Sequence, residues 1–217
     1  MTMSRAARRL ALAVGAVTLG AVALRTIAKA PPPVYRYLSR WRVRGPIDEV
    51  AAVLRDAEQY PRWWPAVYLA VEPLPGDDGG GARRRVRSQG FLPYAIEFTA
   101  RVVDERLPHG FTVEADGEMQ GRGDWQLSAD GDWVDVVYRW QVSGKKLLWR
   151  ATSWALRPLF EANHDWAMRR GEESLRLELA RRRAQSDAER NAVPPPPRAV
   201  RGTLGVVDAL VEVVRSE

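Results

Sequence analysis

Two stretches of this chain read as one-faced strands. In Tyr94–Val102 the even positions Tyr94, Ile96, Phe98, Ala100 and Val102 are apolar, and Glu97, Thr99 and Arg101 alternate with them. In Val134–Val142, Val134, Val136, Tyr138, Trp140 and Val142 point one way and Asp135, Arg139 and Gln141 the other. A sheet with one apolar face needs a cover. The only segment long enough to supply it is Leu147–Arg183, rich in helix formers, where Leu156, Leu159, Phe160, Asn163, Ala167, Gly171, Ser174 and Leu175 recur near helical spacing. Pro158 is expected to kink that helix or to split off its first turn.

The remaining elements fall in a definite order. Trp41–Val43 reads as a strand, followed by Gly45-Pro46 and a helix with Ile47, Val50, Ala51 and Leu54 on one face. Pro46 suits a helix start, and Asp48 and Glu49 suit the positive end of its dipole. A second helical turn around Glu58–Trp64 ends at Pro65. Strand candidates then follow in series: Tyr68–Glu72, Arg83–Gln89, Tyr94–Glu105, Phe111–Ala115, Gly121–Ser128 and Trp133–Val142. Turn residues link them, among them Asp116-Gly117 and Asp130-Gly131-Asp132, so the sheet is expected to be antiparallel. The fold class is α+β: an antiparallel sheet covered by a long C-terminal helix.

Composition excludes several chemistries. The 217 residues contain no cysteine, which removes disulfides, cysteine zinc clusters and thiol nucleophiles. With only His109 and His164, a histidine metal site is not expected either, and no cofactor is implied. The net charge of +6 is uneven: residues 1–45 hold nine Lys/Arg and no acid, leaving 24 basic against 27 acidic residues in 46–217. A remainder of net −3 has no general attraction for phosphates, so nucleic acid is not the expected partner.

The ends of the chain are separate. Arg5, Arg8 and Arg9 precede an apolar run from Leu10 to Leu24, closed by Arg25 and Lys29 and by Pro31-Pro32-Pro33. We read 1–33 as a basic and apolar anchor segment with a proline linker, contacting a membrane through residues 5–30 as an N-terminal apolar helix. A cleaved secretory signal or a soluble alanine-rich helix would have the same layout. The basic residues that follow the run place the domain on the cytoplasmic side; export or a cytoplasmic protein are the alternatives. Residues 34–183 form the domain, 184–202 a proline-rich linker and 203–217 a short helix with Val207, Leu210, Val211 and Val214 on one stripe. Oligomeric state is left open.

Several motifs together resemble a known superfamily. They are Trp41-Arg42-Val43 with Pro46-Ile47-Asp48-Glu49-Val50, Tyr60-Pro61-Arg62-Trp63-Trp64-Pro65, Gly121-Arg122-Gly123-Asp124-Trp125, Val137-Tyr138-Arg139-Trp140, and His164-Asp165-Trp166-Ala167-Met168 before Gly171. Residues 38–180 are similar to SRPBCC/START-like proteins, which include polyketide cyclase/dehydrase-type and coenzyme-Q-binding members. The resemblance implies a helix-grip fold with a cavity between sheet and helix.

Within such a cavity the expected ligand-binding residues are Trp64, Arg84, Tyr94, Phe98, Trp125, Tyr138, Trp140, Phe160 and His164, with Phe111 also facing inward. Gly121, Gly123, Ala167 and Gly171 are expected to leave room beside the rings. Arg84 shares the parity of Val86 and is the candidate anchor for a ligand oxygen, with an exposed edge position as its alternative. Asp124 is expected to point outward toward Arg122 or Arg139. His164, between Asn163 and Asp165, is the one catalytic candidate. The expected function is binding or transport of a hydrophobic small molecule such as a lipid, quinone or polyketide, without catalysis. The alternative is a cyclase/dehydratase using the same cavity.

Overall fold

The computed structural model describes residues 34–75, 82–144 and 147–200, with the side chains of 144–155 left aside. Residues 1–33, the glycine run Gly79–Gly81 and the stripe from 203 to 217 lie outside the described residues, and with them the expected N-terminal and C-terminal helices. Among the described residues no helix is long and apolar enough to cross a membrane.

Seven antiparallel strands form one sheet in the order β1-β7-β6-β5-β4-β3-β2: β1 (Val34–Arg44), β2 (Tyr68–Pro73), β3 (Arg83–Gln89), β4 (Ala95–Glu105), β5 (Gly110–Gly117), β6 (Met119–Asp130) and β7 (Trp133–Gly144). β1 is far longer than the expected Trp41–Val43, because its alternation already starts at Tyr35. Tyr35, Tyr37, Ser39, Trp41 and Val43 point inward, while Arg36, Arg40, Arg42 and Arg44 are exposed. On that outer face Arg42 pairs with Asp135 and Asp130, and Arg44 with Asp132. Part of the basic N-terminal stretch is therefore matched by the acidic β6–β7 hairpin.

Between β1 and β2 the chain makes helix α1 (Ile47–Arg55), a 3-10 turn (Ala57–Gln59) and helix α2 (Tyr60–Trp63). α1 buries Val50, Ala51, Val53 and Leu54 and carries Asp48 and Glu49 in its first turn. The long helix α3 (Leu147–Arg183) is continuous, with Pro158 inside it rather than at a break. Its first eleven residues precede that proline, so the missing N–H costs one helical bond toward one end and spares the packed body.

α3 also closes the open edge of β1. Glu172 accepts a hydrogen bond from the Arg42 backbone N–H at 3.1 Å, and Arg176 and Arg183 donate to the carbonyls of Arg42 and Arg44 at 3.0 and 2.9 Å. Side chains of the helix thus satisfy edge groups that would otherwise invite another strand. Arg183 additionally pairs with Glu49 of α1.

The segment 184–202, expected to be a linker only, contains helix α4 (Asp187–Ala192). Ser186 accepts from the Glu189 N–H at 3.2 Å as the S-x-x-E spacing allows, and the Glu189 carboxylate reaches back one residue further, to the Gln185 N–H at 2.7 Å. The following prolines return along α3, where Arg181 donates to the Pro194 carbonyl at 2.9 Å and Val200 packs on the core.

Candidate functional site

A cavity of about 230 Å³ lies between the inner face of the sheet and α3. Its floor is tiled by Phe111 on β5, Trp125 on β6, and Tyr138 and Trp140 on β7. Ring centroids along this row are 6.1, 4.1 and 6.1 Å apart, with interplanar angles of 24°, 23° and 16°. Near-parallel stacking across three strands, face to face between Trp125 and Tyr138, gives a continuous aromatic surface. The opposite wall is α3, through Phe160, Asn163, His164, Ala167 and Met168, and Trp64 closes one end.

The rings come close to the sheet backbone for a local reason. A Cβ on Gly123 would come within 2.6 Å of the Tyr138 hydroxyl oxygen, and one on Gly121 within 2.9 Å of the Trp140 ring. On α3, a Cβ on Gly171 would meet the Trp64 ring at 2.3 Å. These glycines were expected to leave open room; instead each is covered by a ring, and only Ala167 borders the cavity as anticipated.

Of the residues expected at a site, Trp64, Tyr94, Phe98, Trp125, Tyr138, Trp140, Phe160 and His164 all line the cavity. Arg84 does not. It has the inward parity, opposite Ala100, but its guanidinium turns to Glu58 on the 3-10 turn at 3.1 Å. Asp124 does turn outward, but Arg106 holds it at 2.8 Å and Thr112 at 3.0 Å, with Arg139 at 4.0 Å and no bond to Arg122. The adjacent carboxylates of α3 diverge: Glu172 serves Arg176 and the β1 edge, and Glu173 serves Arg170.

The reading from sequence missed Tyr35, Tyr37, Tyr60 and Tyr68, so that all six tyrosines of the chain border the cavity. For Tyr35 and Tyr37 the signal was present in the alternation that leads into Trp41. Tyr60 and Tyr68 flank a short non-periodic segment and offered none.

His164 sits where α3 faces β1. Its ring stacks on Tyr37 at 4.1 Å and 14°, and its Nε2 lies 3.2 Å from the Ser39 hydroxyl. Burial disfavours the imidazolium and lowers its pKa to about 4. The ring is therefore neutral at physiological pH, and it is a weak base. Burial also raises the Tyr60, Tyr68 and Tyr138 phenols, which remain protonated donors across the working range. Arg55 reaches the lining but is paired with Glu105, and Glu114 is held by Arg101 and Arg122. No cluster of His, Asp or Glu able to hold a metal occurs among the described residues.

Known structures share this architecture. A protein from Thermus thermophilus aligns with 69% of this chain and 100% of its own at a TM-score of 0.56 and 12% identity. The Zhui aromatase/cyclase of a Streptomyces species aligns with 71% of this chain and 99% of its own at 0.58 and 17%. A conserved protein of Geobacillus kaustophilus aligns with 67% and 95% at 0.52 and 13%. At such identities the likeness is one of fold, the helix-grip. No curated protein matches the sequence significantly. Residues 43–170, more than half of the chain and all of the cavity's floor, match the sequence profile of one family, and the chain belongs to it: polyketide cyclase / dehydrase and lipid transport.

Proposed function

We propose that this protein binds an uncharged hydrophobic small molecule in the cavity and holds it close to a membrane through residues 5–30. The observation that carries the reading is the stacked floor of Phe111, Trp125, Tyr138 and Trp140 facing free volume under α3. A concave site walled by aromatics with a few polar groups suits an apolar ligand. The lining's charged groups, Arg55 and Glu114, are each spent on partners outside the lining, so nothing offsets the desolvation of an ionic ligand.

Binding is favoured over catalysis by His164. An effective general base has a pKa near the working pH, and one at about 4 is protonated too weakly to drive proton abstraction. The Ser39 hydroxyl at 3.2 Å also occupies its Nε2. The tether is supported by the apolar run itself and by the position of β1, which begins at Val34, directly behind the three prolines.

Titration with N-phenyl-1-naphthylamine, an uncharged fluorophore that brightens in apolar surroundings, tests the binding. The full chain is expected to bind it saturably, and Ala167→Trp, which places a large ring into the cavity, is expected to abolish binding while the protein stays folded. Equal brightening by both proteins would overturn the reading. Membrane fractionation of the full chain beside a version starting at Val34 tests the tether, which fails if both remain soluble.

A further inference from the structure

The outer face of β1 is divided. Toward the C-terminal end of the strand its arginines are matched: Arg42 pairs with Asp130 and Asp135, and Arg44 with Asp132. Toward the N-terminal end they are not. Arg36 and Arg40 are exposed, and neither side chain has a hydrogen bond or an ion pair among the described residues. The β7 residues opposite them, Gln141 and Val137, carry no charge. Between the two stands Leu38, 48% exposed and opposite Arg139, and Val34 continues the same face at 43% exposure.

Other arginines of the outer face have carboxylates within reach. On β3 and β4, Arg85, Arg87 and Arg101 face Glu72, Glu97 and Glu114 at 3.9, 3.7 and 3.0 Å, and on β6 Arg122 reaches Glu114 at 2.9 Å. Arg139 lies 4.0 Å from Asp124, which Arg106 already holds. The first half of β1 therefore presents unbalanced positive charge interleaved with two exposed aliphatic side chains, in a row of roughly 20 Å from Val34 to Arg40.

Charge alone would suit any polyanion. A bilayer surface suits the aliphatic side chains as well, because it offers phosphate oxygens to arginine and, just below them, acyl carbon to leucine and valine. The sequence ahead of the strand points the same way. Nine residues, 25–33, separate the apolar run ending at Leu24 from Val34. Fully extended they span at most about 30 Å, so a bilayer that holds the run keeps β1 within reach of its headgroups.

We propose that the face formed by Val34, Arg36, Leu38 and Arg40 docks on anionic phospholipid headgroups, so that the domain rests on the bilayer along β1 instead of swinging free on its linker. The inference rests on the tether for its approach to the bilayer, and adds a defined contact on the domain and a lipid preference. Arg42 and Arg44, neutralised by the β6–β7 hairpin, are left out of the contact.

The chain has no cysteine, so Leu38→Cys gives one labelling position for nitrobenzoxadiazole, a fluorophore that brightens in apolar surroundings. Arg87→Cys on β3, five strands and roughly 24 Å across the sheet, is the reference. Each labelled full chain is reconstituted with vesicles of phosphatidylcholine alone or with about one third phosphatidylglycerol, and flotation records attachment. The Leu38 label is expected to brighten on the anionic vesicles, to lose that gain in high salt and to stay dim on neutral ones, and the Arg87 label to respond to neither. An arginine near an anionic surface is worth roughly a factor of five, so Arg36→Gln with Arg40→Gln is expected to lower the docking constant about twenty-five-fold. Arg85→Gln with Arg101→Gln, the same loss of charge on the far strands, is expected to leave it unchanged. Flotation with both vesicles and identical Leu38 spectra would overturn the docking face and leave the tether standing. Flotation with neither would overturn both. An equal loss from the two double variants would reduce the effect to net charge and overturn the face.

Discussion

The space between the sheet and α3 has two ends built from the same kinds of residue in opposite states. At one end Trp41, Trp63, Trp64, Val43, Leu54, Leu175 and Leu179 form a solid core. At the other, Tyr35, Met119 and Val142 are buried, with Tyr37, Ile96, Phe98, Trp140 and Phe160 half-buried around a void. Aromatic content does not separate the ends. What separates them is a third layer: α1 and α2 insert Val50, Val53, Leu54 and Trp63 between the sheet and α3 at the solid end, and no described element does so at the other. A one-faced sheet and one helix can cover each other without filling the gap between them. Side chains alone reach across only where extra helices supply them.

The largest test of that contrast is a pair of ring deletions. Trp63 is fully buried in the solid end, and Trp63→Ala is expected to cost about 3–5 kcal/mol of unfolding free energy in urea titrations. Trp140 stands beside a void that already exists, so Trp140→Ala is expected to cost less than about 2 kcal/mol while weakening N-phenyl-1-naphthylamine binding. Equal losses would mean that the two ends are packed alike.

A second test asks whether the hollow end is dry. Burial holds His164 near pKa 4 against an ordinary value of 6.5, so the unfolded chain takes up the proton first as pH falls. Stability from this group is complete above pH 6.5 and drains away between 6.5 and about 4, by about 3 kcal/mol in all. Water beside the ring would shrink that loss. Glu178, in the solid end, acts in a lower window. Burial alone would raise its carboxyl, but hydrogen bonds and charge from Arg62 and Arg182 outweigh burial and leave it below the ordinary range. Its contribution is therefore lost only as the pH falls below the ordinary carboxylate value. Urea titrations at pH 7 and 5 on the protein and on His164→Gln isolate the histidine: the substitution should flatten the slope, and an unchanged slope sinks the assignment.

How far the sequence foretold this site follows from what periodicity measures. A period of two says which face a side chain takes, so Phe98, Trp125, Tyr138 and Trp140 were legible, and the helical period did the same for Phe160 and His164. Neither period says what waits on that face. Arg84 has the inward parity, yet Glu58, 26 positions earlier, captures it because the 3-10 turn packs on β2, the strand beside β3. Tyr68 and Tyr60 entered unannounced for the same reason, brought together by how α2 docks on β2. The glycines misled in a related way: a small residue in a strand signals space next to the backbone, and a diagonal neighbour's ring can take it. The helix-grip order of elements, by contrast, needed only the strand series and one long helix, both local patterns.

The smallest expected effect separates the two ends most finely, because it asks how each responds to one added methyl group. In Gly171→Ala the new Cβ would meet the Trp64 ring at 2.3 Å. That ring meets the cavity at one end but is held by Trp41, Trp63, Tyr60 and Tyr68 at centroid distances of 5.1–6.0 Å, so it has little room to shift. Overpacking of this kind costs about 1–3 kcal/mol. In Gly123→Ala the new Cβ meets the far end of Tyr138, at 2.6 Å from the hydroxyl and 2.9 Å from the ring. This ring borders the void and can tilt into it, so the unfolding free energy should fall by less than about 1 kcal/mol. Similar stability losses at the two glycines would place Tyr138 in a packed core, and the hollow end would then owe its form to more than the absence of a third layer.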